Sequence, residues 1–252
     1  IGDVPPEVSV AWRFGLAALC IFAYGLVRGQ PMRLNGAQHR MMAVLGLLLF
    51  GVNLTLVYYA SETLPSGLVS VTFSIIAVMN IINGRLVLGI KNPRMTWIGA
   101  FVGVFGLALV FRQDLTHAFF GAGASDTIRG MLFCIAGTYV ASLGNVWAVR
   151  VQTAGVDVIR SSAWGMIYGA TALFLYAASQ GMPLGIPMTV RYLSGLAYLA
   201  VFASVVGFLC YLTLLRRIGP SRAGYVAVVF PVVALIVSAF LENFVPGVDT
   251  VI

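Results

Sequence analysis

Long apolar stretches separated by charged residues run through the whole chain. Eight charge-free windows occupy residues 14–27, 41–61, 63–84, 95–111, 130–149, 161–190, 192–215 and 223–241. A helix needs about 20 apolar residues to cross the ~30 Å hydrocarbon core of a bilayer. Window 14–27 reaches that length by extending back through residues 8–12. A Gly- and Pro-rich stretch at 181–187 shortens the long window to a helix at about 162–179. The pattern predicts an all-α integral membrane protein with eight transmembrane helices in this chain, because strands of a membrane barrel are only ~10 residues long and alternate in polarity.

Composition agrees with a membrane protein and argues against a soluble domain, a nucleic-acid-binding protein and an enzyme. Hydrophobic residues make up 60% of the 252 and charged residues 9%, whereas soluble domains are roughly 25% charged. The 15 Lys and Arg are spread along the chain, which does not resemble a nucleic-acid surface. No phosphate-binding Gly-x4-Gly-Lys loop, metal-ligand spacing or catalytic set is present, so we predict no cofactor, no metal and no enzymatic activity. Three cysteines lie within apolar runs and are predicted to be buried, reduced thiols: Cys20, Cys134 and Cys210.

The basic residues predict the orientation. Loops after the first, third, fifth and seventh helices carry 11 Lys and Arg, and the opposite loops carry three. Since loops rich in Lys and Arg stay in the cytoplasm, loops 28–40 and 150–160 are predicted to be cytoplasmic and loop 112–129 external. This chain would then begin and end on the outer side.

Two segments of the chain resemble each other. Ala11–Pro31 and Ala163–Pro183 share seven of 21 residues at an offset of 152, and the turns at 64–66 and 219–221 match at an offset of 155. If the helices are paired in this way, the helix at 130–149 would have its counterpart before residue 1, and the helix at 95–111 would have its counterpart after residue 252. We therefore predict five-helix units, ten helices when complete, with the second unit inverted because its helix number is odd. The first repeat, lacking its first helix, would cover 1–112; an external linker 113–129; and the second repeat, lacking its last helix, 130–252.

Several of these stretches carry a family resemblance. Residues 53–73, NLTLVYYASETLPSGLVSVTF, resemble the third-to-fourth helix hairpin of EamA-type transporters in the drug/metabolite transporter superfamily. Residues 217–235, RIGPSRAGYVAVVFPVVAL, resemble the eighth-to-ninth hairpin, residues 144–146 the sixth helix, and Glu242 the acidic residue often found at the end of the ninth. The chain departs from the pattern at 83–85 and 90, where many relatives place an acidic residue.

The resemblance implies a fold and an activity. It implies ten helices in two inverted repeats around a central cavity, in a bacterial inner membrane, with both termini of the complete protein cytoplasmic. It also implies export of a small metabolite such as an amino acid by alternating access. The expected partners are that substrate and the lipid bilayer. A coupling proton and a homo-oligomer are both compatible with the sequence.

Polar side chains inside the windows are the candidates for the cavity, because such groups are costly in lipid and face the bundle interior. Helical spacing sorts them into stripes: Thr55, Tyr58 or Tyr59, and Glu62; Thr138, Ser142 and Asn145; Ser204, Gly207 and Tyr211; with Tyr225 on a further helix. The alternative for each is a hydrogen bond between helices, worth ~0.6 kcal/mol on average. Asn145 and Tyr211 are the two expected to face a shared central space.

Arg13, Glu62 and Pro231 are candidates for gating. Pro231 removes a backbone donor inside its helix and frees a carbonyl one turn earlier. The predicted orientation places Arg13 and Glu62 at similar depth near the external surface. Arg13 either extends to the lipid headgroups or pairs with Glu62 when the external side is closed.

The sequence thus predicts a secondary transporter. The alternative is a non-transporting multi-pass membrane protein that binds a lipid or a protein partner. A polar interior within an inverted repeat favours transport, because a scaffold has no need of one.

Cysteine labelling tests the orientation. In a variant lacking the three native cysteines, Gly36→Cys is expected to resist an impermeant maleimide added outside intact cells and to react after the membrane is opened. Labelling from outside would contradict the cytoplasmic assignment of loop 28–40.

Overall fold

The computed structural model describes residues 4–110, 112, 116 and 124–241, and its regular structure there is entirely helical. In chain order the helices are α1 (Pro6–Val27), α2 (Gly36–Leu45), π1 (Gly46–Val52), α3 (Asn53–Thr63), α4 (Ser66–Ser74), α5 (Ile76–Leu88), α6 (Arg94–Val110), α7 (Ala124–Thr153), α8 (Val158–Ser179), α9 (Val190–Tyr198), π2 (Leu199–Val206), α10 (Gly207–Ala223) and α11 (Val226–Leu241). Glu242 and most of the predicted external loop 112–129 lie outside the described residues.

Several consecutive helices continue into one another and form longer helical segments. Within the described residues, five helical segments are long and apolar enough to cross a membrane: Pro6–Val27, Gly36–Thr63, Ser66–Leu88, Ser125–Thr153 and Val190–Ala223. Helix α6 is apolar but shorter, at 17 residues. The predicted all-α membrane class is confirmed, while the number of eight spanning helices and their inverted arrangement stay predictions.

Local sequence explains where helices begin and end. Asn35 and Gln38 form a reciprocal capping box at the start of α2, with bonds of 2.8 and 3.0 Å. Such caps satisfy backbone N–H groups that the first helical turn leaves without partners. Gly29 and Gly181, which follow α1 and α8, adopt φ values of 64° and 68° that favour glycine. Gly219, in the second predicted turn, has φ 78° and breaks α10.

The described chain divides into two compact units, and each has its own core. The first unit comprises Ile1–Thr55 and Leu143–Gly219. In it α1 and α8 pack together, α8 also packs on α2 and π1, and α1 packs on π2. Both α1 and α8 have 22 residues, and they start 152 positions apart, as the repeat predicts.

Reciprocal tryptophan contacts join each of α1 and α8 to the segment that follows the other helix. Trp12 Nε1 donates to the Leu184 carbonyl at 2.9 Å, and Trp164 Nε1 donates to the Met32 carbonyl at 2.8 Å. Each indole also meets a phenylalanine of the opposite helix edge-on, Phe174 for Trp12 and Phe22 for Trp164. Donors and acceptors in the two sets are both 152 positions apart.

Glycines let α8 approach π1 closely. A Cβ added to Gly46 would lie 2.5 Å from the Gly165 carbonyl oxygen and 2.7 Å from the Gly169 nitrogen. Backbone atoms cannot move aside as a flexible side chain can. We call the contact of Gly46, Gly165 and Gly169 the glycine seam, and small residues of this kind allow helix backbones to pack tightly in membranes.

The second unit comprises Leu56–Ser142 and Pro220–Ile252. Helix α11 packs against α4, α5 and α6, and α4 packs against α6. One apolar cluster is formed by Ala60, Leu64, Leu68 and Cys134, and another by Ala77, Ile81 and Ala100 with Tyr225 and Val228 packed against it.

The cysteine prediction is wrong for two residues. Cys134 is buried, but Cys20 and Cys210 are exposed, and all three are free thiols. In a membrane helix an apolar run continues around faces that meet lipid, so it does not predict burial inside the protein.

Enlarging the glycine seam is expected to destabilise the first unit. Gly46→Val should lower Tm by several degrees, because overpacking costs about 1–3 kcal/mol and each kcal/mol shifts Tm by about 2–4 °C in a chain of this size. Gly15→Val is the matched control, since a Cβ there meets nothing within 4 Å. Thermal unfolding in detergent measures both, and equal shifts would contradict the seam.

Candidate functional site

A charged side chain inside α1 forms the centre of the candidate site. Arg13 is the only charged residue between positions 8 and 27, and its Nε donates to Ser204 Oγ at 2.8 Å. Ser204 is fully buried on π2, and it is the only polar residue of that π-helix. The structure therefore brings together a residue predicted for gating and one predicted for the cavity.

One aromatic ring lies against the guanidinium, and two more pack against that ring. The Arg13 guanidinium carbon lies 5.4 Å from the centre of the Phe14 ring. Phe14 meets Phe50 and Phe208 edge-on, with ring centres 5.3 and 5.8 Å apart. The three rings come from α1, π1 and α10, so the contact links the helices around the site. Cation–π attraction contributes about 0.5–2 kcal/mol, more where water is excluded.

The Arg13 charge has no counter-ion in the described part of the chain. No described carboxylate lies within ion-pair distance of it, and one Nε–H bond to a hydroxyl leaves four other N–H groups of the guanidinium. Arg13 is half-buried, about 10 Å along α1 from its first residue at 1.5 Å per residue. A charge held in a membrane helix toward protein rather than lipid is a mark of a functional site.

The position that the predicted repeat pairs with Arg13 is a glycine. Gly165 lies 152 positions after Arg13 and belongs to the glycine seam, where an added Cβ would come within 2.8 Å of the Phe50 ring. At matching positions, α8 thus packs on π1 through backbone, and α1 contacts π2 through Arg13 and Ser204. The close apolar contact at Gly165 therefore corresponds to the polar contact at Arg13.

The other candidates in the first unit are Thr55, Asn145 and Tyr211. Thr55 is buried and donates to the carbonyl of Gly51 on its own helix at 3.3 Å. Asn145 is buried and Tyr211 is half-buried. That both face one central space stays a prediction.

In the second unit, several predicted cavity residues bind protein groups. Thr138 donates to the Cys134 carbonyl at 2.7 Å, and Tyr225 donates to the Thr96 carbonyl at 2.5 Å. Ser142 accepts from Asn83 Nδ2 at 2.9 Å. These contacts are the helix-to-helix or local hydrogen bonds of the alternative interpretation.

Three more predicted residues lie in the second unit. Tyr58 is half-buried, Glu62 is exposed and Pro231 is buried within α11. No contact assigns them a role, and the pairing of Glu62 with Arg13 stays a prediction.

Sequence reasoning passed over two asparagines. Asn80 and Asn83 are both buried, and Asn80 Nδ2 donates to the Pro220 carbonyl at 3.0 Å. Two amides three positions apart in a charge-free window lie on one helix face, which was the available signal. Asn80 joins α5 to the turn at Pro220, and Asn83 joins α5 to Ser142 on α7.

Comparison with known proteins gives a consistent result. The model of the "EamA-like transporter family" matches residues 1–112 and 128–252. The "Uncharacterized inner membrane transporter YedA" of Escherichia coli (strain K12) is 27% identical over 243 residues, covering 94% of this chain and 74% of that protein. The "Uncharacterized transporter YyaM" of Bacillus subtilis (strain 168) is 26% identical over 255 residues, covering 94% of this chain and 77% of that protein.

A solved structure shares the fold. It is titled "Crystal structure of protein", and the similarity covers 99% of this chain and 83% of that one with a TM-score of 0.77 and 18% sequence identity. At that identity the likeness concerns the fold alone.

The Arg13–Ser204 contact can be measured by a double-mutant cycle. Arg13→Gln and Ser204→Ala are expected to be coupled in unfolding free energy, because a hydrogen bond to a charged group contributes about 1.5–3 kcal/mol. Arg13→Gln with Ser194→Ala is the control, since Ser194 is exposed and binds its own helix. The effects of mutations at separate sites on the free energy of unfolding add to within about 0.3–0.5 kcal/mol. A coupling energy that small between Arg13 and Ser204 would contradict the contact.

Proposed function

The chain belongs to the EamA-like transporter family, and from that premise we propose that it exports a small carboxylate-bearing metabolite, such as an amino acid, across the bacterial inner membrane. Relatives named as transporters, one of them an inner membrane transporter, support a multi-pass membrane transporter. The single observation that carries the substrate class is the Arg13–Ser204 contact inside a spanning segment.

In this proposal Arg13 binds the substrate carboxylate. Arginine presents a planar fork of N–H donors that matches a carboxylate with two parallel bonds. Ser204 takes one donor, and the ring of Phe14 supports the guanidinium, so the remaining donors are held in place before the substrate arrives. A fixed orientation reduces the entropy lost on binding.

The two contacts at matching positions suggest how access alternates. We assign the two repeats opposite orientations, as in transporters whose substrate sites lie between such halves. The glycine seam keeps α8 and π1 together, because it has no side chains that could separate and re-form contacts. The contact of α1 with π2 is polar and exchangeable, so a substrate carboxylate can replace Ser204 as a partner of Arg13 and change the preferred state.

A transport assay with paired substrates tests the proposal. Cells or proteoliposomes carrying the protein are screened with amino acids and other small carboxylate-bearing metabolites, and each transported compound is compared with its amide, which lacks the negative charge of that carboxylate. The protein is expected to prefer the carboxylate, and Arg13→Gln to lose roughly 10–150-fold in apparent affinity, the equivalent of about 1.5–3 kcal/mol. Arg13→Lys should retain part of it, because lysine keeps the charge but not the fork.

Arg33→Gln is the matched control, since it removes one exposed arginine from a loop of the first unit. It should leave affinity and substrate preference unchanged. A variant Arg13→Gln that still prefers the carboxylate with unchanged affinity would refute the role of Arg13. Absence of transport for every carboxylate-bearing metabolite in the screen would refute the substrate class.

A further inference from the structure

The first unit contains a cavity of about 780 Å³ near the end of α1. Its wall combines the end of α1, the start of α8, and residues of π2 and α10: Tyr24, Gln30, Asp157, Val158, Ile159, Val205, Leu209, Thr213, Arg216 and Arg217. Cavities of roughly 300–1,000 Å³ are the usual size for small-molecule sites. Arg13 and Ser204 are not among these residues, so the cavity is separate from the candidate substrate site.

The charged part of the wall is positive. Arg216 and Arg217 are both exposed, and no described carboxylate lies within ion-pair distance of either. Asp157, the acidic residue of the wall, is bound by Arg160 through its side chain and its backbone N–H. Burial raises the pKa of Asp157, but these bonds from Arg160 outweigh it and hold that pKa below its ordinary value. The Asp157 charge is therefore balanced locally, and those of Arg216 and Arg217 are not.

The remaining wall is apolar and belongs to segments that meet lipid. Val205 and Leu209 lie within the Val190–Ala223 span. Large apolar side chains on the same helices are exposed, including Val27 at 88% on α1 and Phe202 at 60% on π2. In a membrane such surfaces contact acyl chains, so the cavity joins a positive end to a lipid-facing wall.

We propose that this cavity binds an anionic phospholipid, with its phosphate at Arg216 and Arg217 and an acyl chain along Val205 and Leu209. Basic pockets between transmembrane helices are known to hold anionic headgroups. The buried Gln30 Oε1 accepts no hydrogen bond from a described residue. It provides an acceptor for a headgroup hydroxyl, which phosphatidylglycerol has and phosphatidylcholine lacks. A free phosphate would match the arginines but would leave the apolar wall without a partner.

Native mass spectrometry of the whole chain in detergent tests the site. Dioleoyl phosphatidylglycerol is expected to bind more tightly than dioleoyl phosphatidylcholine. The double variant Arg216→Gln, Arg217→Gln should bind phosphatidylglycerol about 30-fold more weakly, because each arginine near an anionic lipid contributes about 1 kcal/mol and 1.4 kcal/mol is a factor of ten. Arg33→Gln, Arg40→Gln is the matched control, with the same loss of charge at two exposed arginines outside the cavity wall.

Two further measurements separate the alternatives. Leu209→Trp should weaken phosphatidylglycerol binding, because the larger side chain fills the apolar part of the cavity while both arginines remain. Gln30→Leu should reduce the ratio of phosphatidylglycerol affinity to phosphatidylcholine affinity. Inorganic phosphate at millimolar concentration should not displace the lipid. Unchanged lipid binding in the Arg216/Arg217 variant, an equal loss in the control, or displacement by phosphate would overturn the proposal.

Discussion

Hydrocarbon offers no hydrogen-bond partners, so every polar group in a spanning segment must find one within the protein. Thr55 and Thr138 meet this requirement by donating to carbonyls one turn back in their own helices. Trp12, in the first span, donates to a carbonyl in the segment after α8, and Trp164 of α8 donates to one in the segment after α1. Together the two bonds fix α1 against α8. Arg13 differs from these residues, because its one bond to Ser204 leaves further N–H donors of the guanidinium for a ligand.

Arg13 and Gly165 are 152 positions apart, the offset of the predicted repeat, and they make different contacts. The reciprocal tryptophan contacts require similar surroundings at positions 152 apart. Within that framework, glycine permits backbone contact on one side, and arginine with Ser204 provides a charge on the other. Both π-helices lie beside these contacts, and π-helical turns are frequent at functional sites because they reorient side chains within a helix. If Arg13 binds the substrate as proposed, the predicted repeat places a close glycine contact at one position and the binding residue at the other.

The sequence predicted the features that depend on length and periodicity. The apolar windows predicted the all-helical membrane class, and the five spans of the described residues agree with it. The 152-residue offset of the two matching sequence segments is also the offset between the starts of α1 and α8. The EamA-type resemblance came from the hairpin sequences at 53–73 and 217–235, and the family match confirmed it. Charge counts gave an orientation that packing within the chain does not test.

Features that depend on three-dimensional contact were less accessible. Nothing local distinguishes Ser204 from other membrane serines, and its bond to Arg13 joins residues 191 positions apart. The π-helices, the glycine seam and the cavity beside Arg216 likewise require the helices to be in place. Asn83 was visible in the sequence, but its partner Ser142 was not, because helical spacing assigns a face and does not identify the helix that faces it.

The most direct test is a crystal structure of the full chain with a transported amino acid bound. Recognition by the guanidinium predicts a substrate carboxylate about 2.7–2.9 Å from the Arg13 nitrogens, the usual length of charge-assisted bonds. A substrate carboxylate bound by other residues, with Arg13 still on Ser204 alone, would contradict it.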